Sequence, residues 1–408
     1  MDANHKDIEI LRNLAKQYID ICNAPEQKTK RDMWRRHNSF QKTPVLIYIR
    51  AFAWVEMSES KCACADAFLR HYENQFREAV FRSTFKDDFI FEPWVTVGAS
   101  YKCSAWGLDV NRHYTDEKNE KLTAFKVEYA LKELSDFGKM RAPWHEIDDL
   151  KTAENKKILE DAIGDIITVN VDRGPAYRMW TGDISTSLGY LRGMEHIMMD
   201  MYDNPEWLHK LLAFMRDGIL RTHEQAEKAG DWGYCAHQNQ AMPYAEELHD
   251  PAANQNGVKR SQLWAYMAAQ EYTLISPEMH DEFLLQYQLP ILENFGLVAY
   301  GCCEDLTSKI DILRKIPNLR RIAVSPFANV AKCAEQIGSD YIVSYRPSPA
   351  DMVSYGFDTG RIKKIVSGDL DALRRNGCSF DITLKDVETV QADPTRIRRW
   401  VELVREIS

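Results

Sequence analysis

The run Tyr300-Gly301-Cys302-Cys303-Glu304 holds the residues best suited to chemistry in this sequence. Adjacent cysteines form only a strained disulfide with each other, so we expect two free thiols here. Thiolate sulfur is a preferred ligand of Zn²⁺, and a catalytic zinc site keeps one coordination position open. Glu304 could complete or orient such a site. The alternative is that Cys302 and Cys303 are small, buried apolar side chains.

A histidine that could join the two cysteines ends another short β-like segment. His237 closes the run DWGYCAH (231–237), which we expect to neighbour the strand that ends near Cys302. A histidine nitrogen beside thiolates suits zinc, so His237, Cys302 and Cys303 are the predicted metal ligands. In the alternative, His237 belongs to a polar loop network with the following Gln238-Asn239-Gln240.

Polar residues also follow two later β-like segments. Lys385 and Asp386 come directly after SFDITL (379–384), and Arg346 follows YIVSY (341–345). A lysine–aspartate pair at such a place can move a proton or bind an anionic substrate, and Arg346 can bind the same anion. A plain surface ion pair is the alternative for Lys385 and Asp386.

Aromatic residues supply the remaining candidates for substrate binding. Trp94 lies in the second β-like segment, and Tyr300 precedes the two cysteines. Aromatic side chains of this kind can line a pocket for a planar or apolar substrate. Ordinary core packing is the alternative for them.

The elements that must position these residues alternate between β-like runs and helical patterns. Eight β-like runs recur, at 44–49, 88–97, 164–171, 231–237, 295–301, 320–325, 341–346 and 379–385. Strands that alternate with helices predict a parallel sheet, and eight such units predict a (β/α)8 TIM barrel of the α/β class. A doubly wound open sheet is the alternative, but no glycine-rich dinucleotide fingerprint follows the first strand. In a barrel, chemistry sits at the carboxyl ends of the strands, where the candidate residues above cluster.

The predicted domain organisation is a single barrel with two additions. Residues 1–43 form an N-terminal helical extension, and residues 44–408 form the barrel. A long spacer at about 98–163 is predicted to be an insertion over the barrel mouth.

Composition narrows the classes of protein. The 408 residues contain 52 basic and 61 acidic side chains, a net charge of -9 that argues against a nucleic-acid partner. No apolar run approaches the ~20 residues of a membrane span, and the N-terminal residues lack a signal-peptide pattern. Nine cysteines without an export signal favour reduced thiols, so a cytoplasmic location is expected.

Three stretches resemble the uroporphyrinogen decarboxylase superfamily. They are YGCCE (300–304), RIAVSP (321–326) and CSFDITLKDVETVQADPTRIRRW (378–400), and the match spans roughly 160–408. The resemblance is to the divergent branch grouped with corrinoid-linked, cobalamin-dependent methyltransferases. It implies a TIM barrel, which agrees with the strand count, and the family often pairs two barrels, so a homodimer is possible.

The resemblance implies a zinc-dependent methyltransferase that works with a corrinoid on a separate carrier protein. That branch uses a His-x-Cys pair and a later cysteine. Cys302 matches the cysteine of the pair, Tyr300 stands at the histidine position, and His237 is expected to replace it. Cys378 could supply the later cysteine by sequence offset, whereas strand direction favours the region of Asp386.

The expected reaction moves a methyl group between a small methoxy, methylamine or thiol compound and the corrinoid, with zinc as Lewis acid. Glu304, Lys385 and Asp386 are the expected catalytic residues, and Trp94, Tyr300 and Arg346 would bind the substrate. Two alternatives stay open: a metal-free decarboxylase of a carboxylated substrate and a non-catalytic binding barrel.

Overall fold

The centre of the molecule is a parallel β-sheet. The computed structural model describes residues 5–103, 106–116 and 124–408. Its strands are β1 (Ile47–Ile49), β2 (Trp94–Gly98), β3 (Asn111–Tyr114), β4 (Phe125–Glu128), β5 (Thr168–Asp172), β6 (Trp264–Met267), β7 (Leu297–Tyr300), β8 (Leu319–Val324), β9 (Ile342–Tyr345) and β10 (Ser379–Leu384). Six of them form one sheet in the order β1-β10-β9-β8-β7-β6, with every neighbouring pair parallel.

Helices connect and cover the strands. They are α1 (His5–Cys22), α2 (Pro25–Asn38), α3 (Ala67–Arg82), α4 (Asp149–Ile163), α5 (Ser185–Arg192), α6 (Met194–Asp203), α7 (Pro205–Ala229), α8 (Pro277–His280), α9 (Gln286–Leu292), α10 (Ile310–Leu313), α11 (Val330–Ile337), α12 (Thr359–Arg375) and α13 (Arg396–Ile407). Single π-helical turns lie at Asp281–Leu285, between α8 and α9, and at Ala350–Ser354. Within the described ranges, no helix combines the length and apolarity needed to cross a membrane.

Seven of the eight predicted strands are present in whole or in part. The segment 231–237 is the exception and the prediction there is wrong, because it contains a short 3₁₀ helix at Tyr234–Ala236. The strand that takes its place is β6, which the sequence analysis missed. β6 has only four residues, WAYM, and all four are buried, so it lacks the alternating pattern that marks a half-buried strand.

The parallel strands do not form one continuous ring of hydrogen bonds. β2 and β5 pair with each other in a separate two-stranded parallel sheet. Among the described residues, neither β1 with β2 nor β5 with β6 is paired. The structure therefore shows a mixed α/β fold with a six-stranded parallel sheet, and it does not show the fully closed eight-stranded barrel that the sequence predicts.

Strand alternation separates the two faces of the six-stranded sheet. In β10, Phe380, Ile382 and Leu384 belong to the large core beneath the helices. Asp381 and Thr383 point to the opposite face, and Lys385 follows directly after the strand. In β7, Val298 and Tyr300 likewise face the helices and belong to that core. One face of the sheet is thus apolar and helix-covered, while the other carries buried polar residues.

The N-terminal and insertion segments have their own small core. Within the predicted extension 1–43, of which residues 1–4 lie outside the described residues, α1 packs against α3 and α4. The predicted insertion 98–163 contains the antiparallel hairpin β3–β4 and ends in α4, with 104–105 and 117–123 outside the described residues. Apolar residues of α4 share a core with β2 and β5, so α4 acts as a connecting helix of the parallel fold.

Candidate functional site

The carboxyl ends of β7, β9 and β10 bring together the principal candidate residues. Cys302 follows β7, Arg346 follows β9 and Lys385 follows β10. Because these strands are parallel members of one sheet, their ends lie at the same edge. Six of the predicted site residues meet there: Cys302, Cys303, Glu304, Arg346, Lys385 and Asp386.

Gly301 turns the chain so that Cys302 faces the site. Its φ of 97° lies in the left-handed region that favours glycine. A Cβ atom at Gly301 would lie 2.7 Å from Leu306 Cδ1 and 3.1 Å from Ala323 Cβ. In a continuing strand, Cys302 would face the same side of the sheet as Tyr300, two residues earlier. Because of the turn it faces the opposite side and belongs to the same apolar cluster as Ala299.

The ammonium group of Lys385 is the centre of the cluster. Its Nζ lies 2.8 Å from Cys302 Sγ, 3.3 Å from Cys303 Sγ and 3.0 Å from Asp386 Oδ2. The side chain is buried, so these contacts take the place of water. Burial and Arg346 lower the pKa of Lys385, but the Cys302 sulfur and Asp386 outweigh them and raise it. Lys385 is therefore a fixed positive charge beside the two sulfurs.

Cys302 is the thiol that ionises. Its sulfur lies 3.4 Å from Cys303 Sγ. A hydrogen bond from Cys303 and the positive charges of Arg346 and Lys385 lower the pKa of Cys302 well below its ordinary range. The Cys302 thiolate in turn raises the pKa of Cys303. Asp386 favours the same assignment, because its carboxylate lies 3.5 Å from Cys303 Sγ and its negative charge raises the pKa of Cys303 further.

Arg346 and Glu304 hold the backbone around Cys302. Arg346 donates from Nη1 to the carbonyl oxygen of Cys302 at 2.8 Å. Glu304 Oε2 accepts from the Cys302 N–H and Oε1 from the Ala269 N–H, both at 2.8 Å. Burial raises the pKa of Glu304, opposed by these backbone N–H groups. Glu304, predicted as catalytic, thus ties the loop after β7 to the end of β6.

A cavity of about 560 Å³ lies against the thiols. Cys302, Cys303, Lys385 and Asp386 contribute to one side of it. The rest combines apolar residues, among them Pro326, Phe327, Pro349 and Tyr355, with the polar residues Ser348, Asp351, Ser354, Glu388 and Thr389. Phe327 and Tyr355 are exposed, so the cavity opens to solvent. A second cavity of about 460 Å³ shares Cys303 and Phe327 with it. Sequence reasoning missed Phe327 and Tyr355, which lie in loops without a motif.

His237 lies away from the cysteines. Its Nδ1 accepts from the N–H of Trp264, the first residue of β6, and its Nε2 donates to the carbonyl oxygen of His249 at 3.0 Å. Trp264 pairs with Leu297 at the start of β7, whereas Cys302 follows the end of that strand. The separation along the strand is roughly 15 Å. The prediction that His237 joins Cys302 is not met, because both of its ring nitrogens bind backbone groups at the other end of the sheet.

Trp94 and Tyr300 are also outside the cluster. Trp94 begins β2 and lines a separate cavity of about 230 Å³ with residues of α1 and α3. Tyr300 points into the helix-facing core, where its hydroxyl donates to Gln288 Oε1 at 2.8 Å and lies 3.0 Å from His280 Nε2. Neither side chain contacts the thiols, so the structure does not place them where they were expected to bind substrate.

The arrangement of donors does not fit tetrahedral zinc. Throughout the described ranges, no three or more His, Cys, Asp or Glu side chains are grouped as metal ligands. Glu304 uses both oxygens for backbone N–H groups, and the Lys385 ammonium lies beside both sulfurs where a cation would bind. Cys378 lies at the start of β10, as strand direction predicts, with its thiol on the carbonyl oxygen of Ala334. Two thiols remain, and the carboxylate beside them, Asp386, is paired with the Lys385 ammonium, so the set of zinc ligands is incomplete.

Comparisons with known proteins inform the fold. No protein-family model and no curated protein matches this chain. Among solved structures, a methyltransferase from Methanosarcina mazei is similar, with a TM-score of 0.53 and 10% sequence identity. The similarity covers 92% of this chain and 98% of that one. The chain therefore has a methyltransferase-like fold, and at this identity the likeness extends to the fold alone.

Proposed function

We propose that this protein is a methyltransferase in which the Cys302 thiolate accepts a methyl group from a small donor bound in the cavity of about 560 Å³. One observation carries the proposal: Cys302 Sγ lies 2.8 Å from Lys385 Nζ and lines the cavity. A thiolate held by fixed positive charge at the end of a parallel strand is suited to nucleophilic catalysis.

The first half-reaction forms one bond and breaks one. The Cys302 thiolate attacks the methyl carbon of the donor, and the bond from that carbon to oxygen, nitrogen or sulfur breaks. The leaving heteroatom keeps the electron pair and takes a proton from solvent in the open cavity, because in-line attack places it on the far side of the methyl carbon from the sulfur. Lys385, 2.8 Å from the attacking sulfur, holds Cys302 as a thiolate before the attack. The products are a Cys302 methyl thioether and the demethylated donor.

The second half-reaction returns the thiolate. A nucleophilic acceptor takes the methyl group, the sulfur keeps the electron pair of the broken bond, and the Lys385 ammonium again stabilises the thiolate. A corrinoid on a separate carrier protein is the proposed acceptor. Exposed Phe327 and Tyr355 at the cavity opening give such a partner access to the thioether. The methyltransferase-like fold supports methyl as the transferred group, by analogy of fold alone.

Single-turnover labelling tests this proposal. The protein is incubated with isotopically labelled methoxyaromatic, methylamine and methylthio donors, and its intact mass and peptides are analysed. We expect the mass of one methyl group on Cys302, with release of the demethylated donor. Cys302→Ser abolishes the label, and Cys62→Ser, at a cysteine outside the site, keeps it.

Two results would redirect the assignment. Product formation that continues unchanged in Cys302→Ser contradicts a role for this thiolate. Release of carbon dioxide from a carboxylated substrate, equal in wild type and Cys302→Ser, supports the decarboxylase alternative. Metal analysis of the purified protein tests the zinc prediction separately, since the residues near Cys302 do not assemble a tetrahedral ligand set.

A further inference from the structure

Cys302 and Cys303 form a vicinal dithiol with an uncommon combination of properties. Their sulfurs lie 3.4 Å apart, both residues are free cysteines, and both line the open cavity. The other closely spaced cysteines of the chain differ. Cys62 Sγ contacts Ser60 and Asn74, whereas Cys64 Sγ contacts the carbonyl oxygen of Asp7. Cys302 and Cys303 differ from Cys62 and Cys64 in that their two sulfurs contact each other and line the same cavity.

The sulfur separation matches a centre that bonds to both thiols at a bent angle. With bonds of about 2.3 Å and an angle between about 95° and 109°, two sulfurs lie about 3.4 to 3.8 Å apart. A linear centre with the same bonds would need about 4.6 Å, more than the observed 3.4 Å. Tetrahedral zinc fits the angle but needs at least one further protein ligand, and among the described residues no third His, Cys, Asp or Glu side chain is grouped with the two thiols.

A trivalent centre that carries its own third substituent bonds to two sulfurs at a bent angle and needs no further protein ligand. We propose that Cys302 and Cys303 together bind a monosubstituted arsenic(III) compound, an alkyl or aryl arsenical, at the side of the cavity formed by the two thiols. This inference does not rest on methyl transfer, because it needs both sulfurs and no reaction at carbon. Arsenic(III) is thiophilic, like the soft ions that thiolate ligands select.

The cavity suits the organic substituent. With both sulfurs bound to arsenic, the third bond extends from the thiols into a space of about 560 Å³. Phe327, Tyr355, Pro326 and Pro349 supply apolar surface there. Burial of an alkyl or aryl group against these side chains adds to the two covalent bonds.

The binding step balances without an oxidant or reductant. In water the ligand is an arsonous acid with one carbon substituent and two hydroxyl groups on arsenic(III). The Cys302 thiolate attacks arsenic and one hydroxide leaves, taking up the proton released by Cys303 to form water. The Cys303 sulfur then displaces the second hydroxide, which takes a proton from solvent or Lys385. Two arsenic–sulfur bonds replace two arsenic–oxygen bonds, and arsenic stays trivalent.

Binding of phenylarsonous acid, the hydrated form of phenylarsine oxide, tests the inference. The reduced 408-residue protein is mixed with this probe in excess 2-mercaptoethanol, which competes for arsenic held by single thiols. Intact mass spectrometry counts the bound arsenical. We expect one per chain, located on the peptide with Cys302 and Cys303, and its complete release by dimercaptopropanol.

Variants separate this inference from the proposed methyl transfer. Cys303→Ser is expected to lose the monothiol-resistant arsenical, and Cys62→Ser, at a cysteine outside the site, is expected to keep both the arsenical and methyl labelling of Cys302. Circular dichroism confirms that Cys303→Ser is folded. Absence of binding to folded wild type, or equal binding by folded Cys303→Ser, overturns the arsenical site. Loss of methyl labelling with retained arsenical binding overturns only the proposed function.

Discussion

The two ends of the six-stranded sheet bury charge in different ways. At the amino end, Arg321 donates to Asp381 at 2.6 Å and to Asn38 at 2.9 Å, and His37 lies 2.9 Å from Asp381. Arg321 and Asp381 are at most 2% exposed, so protein groups enclose this pair. At the carboxyl end, Lys385 pairs with the Cys302 thiol, and both residues line an open cavity.

The same strand contributes to both ends, which makes the contrast informative. Asp381 and Lys385 share the polar side of β10 and its extension, about 13 Å apart along the strand. Burial of charge is common to both, so it does not identify the functional end. The difference is that the Cys302 thiolate faces a space that a ligand can enter. We therefore expect substitutions at the amino end to affect stability and those at the carboxyl end to affect thiol reactivity.

The largest expected effect is at the enclosed end. Asp381→Ala leaves Arg321 and His37 buried without their carboxylate, and removal of one partner from a buried pair costs about 3–5 kcal/mol of unfolding free energy. Denaturant unfolding measures this loss. Asp386→Asn, which removes the charge at an exposed side chain and tolerates the positive φ of 56° there, is the control and is expected to cost under about 1 kcal/mol. Equal losses of unfolding free energy in the two variants would contradict the proposal that only the amino end depends on an enclosed ion pair for stability.

The next effect tests the turn that positions Cys302. Gly301→Ala places a Cβ atom 2.7 Å from Leu306 Cδ1 at a positive φ, with an expected cost of about 1–3 kcal/mol. It is also expected to slow alkylation of Cys302. Gly368→Ala in α12, where no atom lies within 4 Å, is the control and is expected to raise stability by about 0.5–1 kcal/mol. An unchanged alkylation rate in Gly301→Ala would show that the turn does not position the thiol.

The smallest change in stability, with a specific change in reactivity, is expected for Lys385→Met. Loss of the ammonium removes a positive charge 2.8 Å from Cys302 Sγ, so the pKa of Cys302 rises. The pH dependence of iodoacetamide alkylation at Cys302 measures the shift. Lys102→Met, at an exposed ion pair with Glu146, leaves the profile in place. If the profile does not move in Lys385→Met, the low pKa of Cys302 is caused by Cys303 and Arg346 and not by Lys385.

Sequence patterns predicted much of the fold and the place of the site. Alternation of strands and helices located seven strands, and the rule that chemistry lies at carboxyl ends selected Cys302, Arg346 and Lys385. These predictions depend only on strand order and direction, which a periodic sequence carries. β6, like the correctly predicted β7 and β9, has four residues that are all buried. So short an apolar run does not by itself distinguish a strand from another buried segment, which is why local pattern located β7 and β9 but not β6, and why the strand prediction at 231–237 is wrong.

The remaining errors concern the direction of side chains and long-range contacts. The positive φ of Gly301 reverses the parity of the chain, so that Tyr300 and Cys302 face opposite sides although they are two residues apart. The backbone contacts of His237 depend on residues 249 and 264, which no local pattern connects to it. The zinc prediction relied on His237, and the contact between Lys385 and Cys302 replaces it as the main feature of the site.

The central claim is that Cys302 is a thiolate that faces the cavity at neutral pH. The pH profile of iodoacetamide alkylation in the wild-type protein, read from the masses of the Cys302 and Cys303 peptides, tests it most directly. A thiolate reacts above its pKa, and a depressed pKa moves the midpoint of the profile to lower pH. We predict that Cys302 reacts before Cys303, with a midpoint well below the value of about 8.5 for a free cysteine. A midpoint at or above that value, or faster labelling of Cys303, would contradict the account.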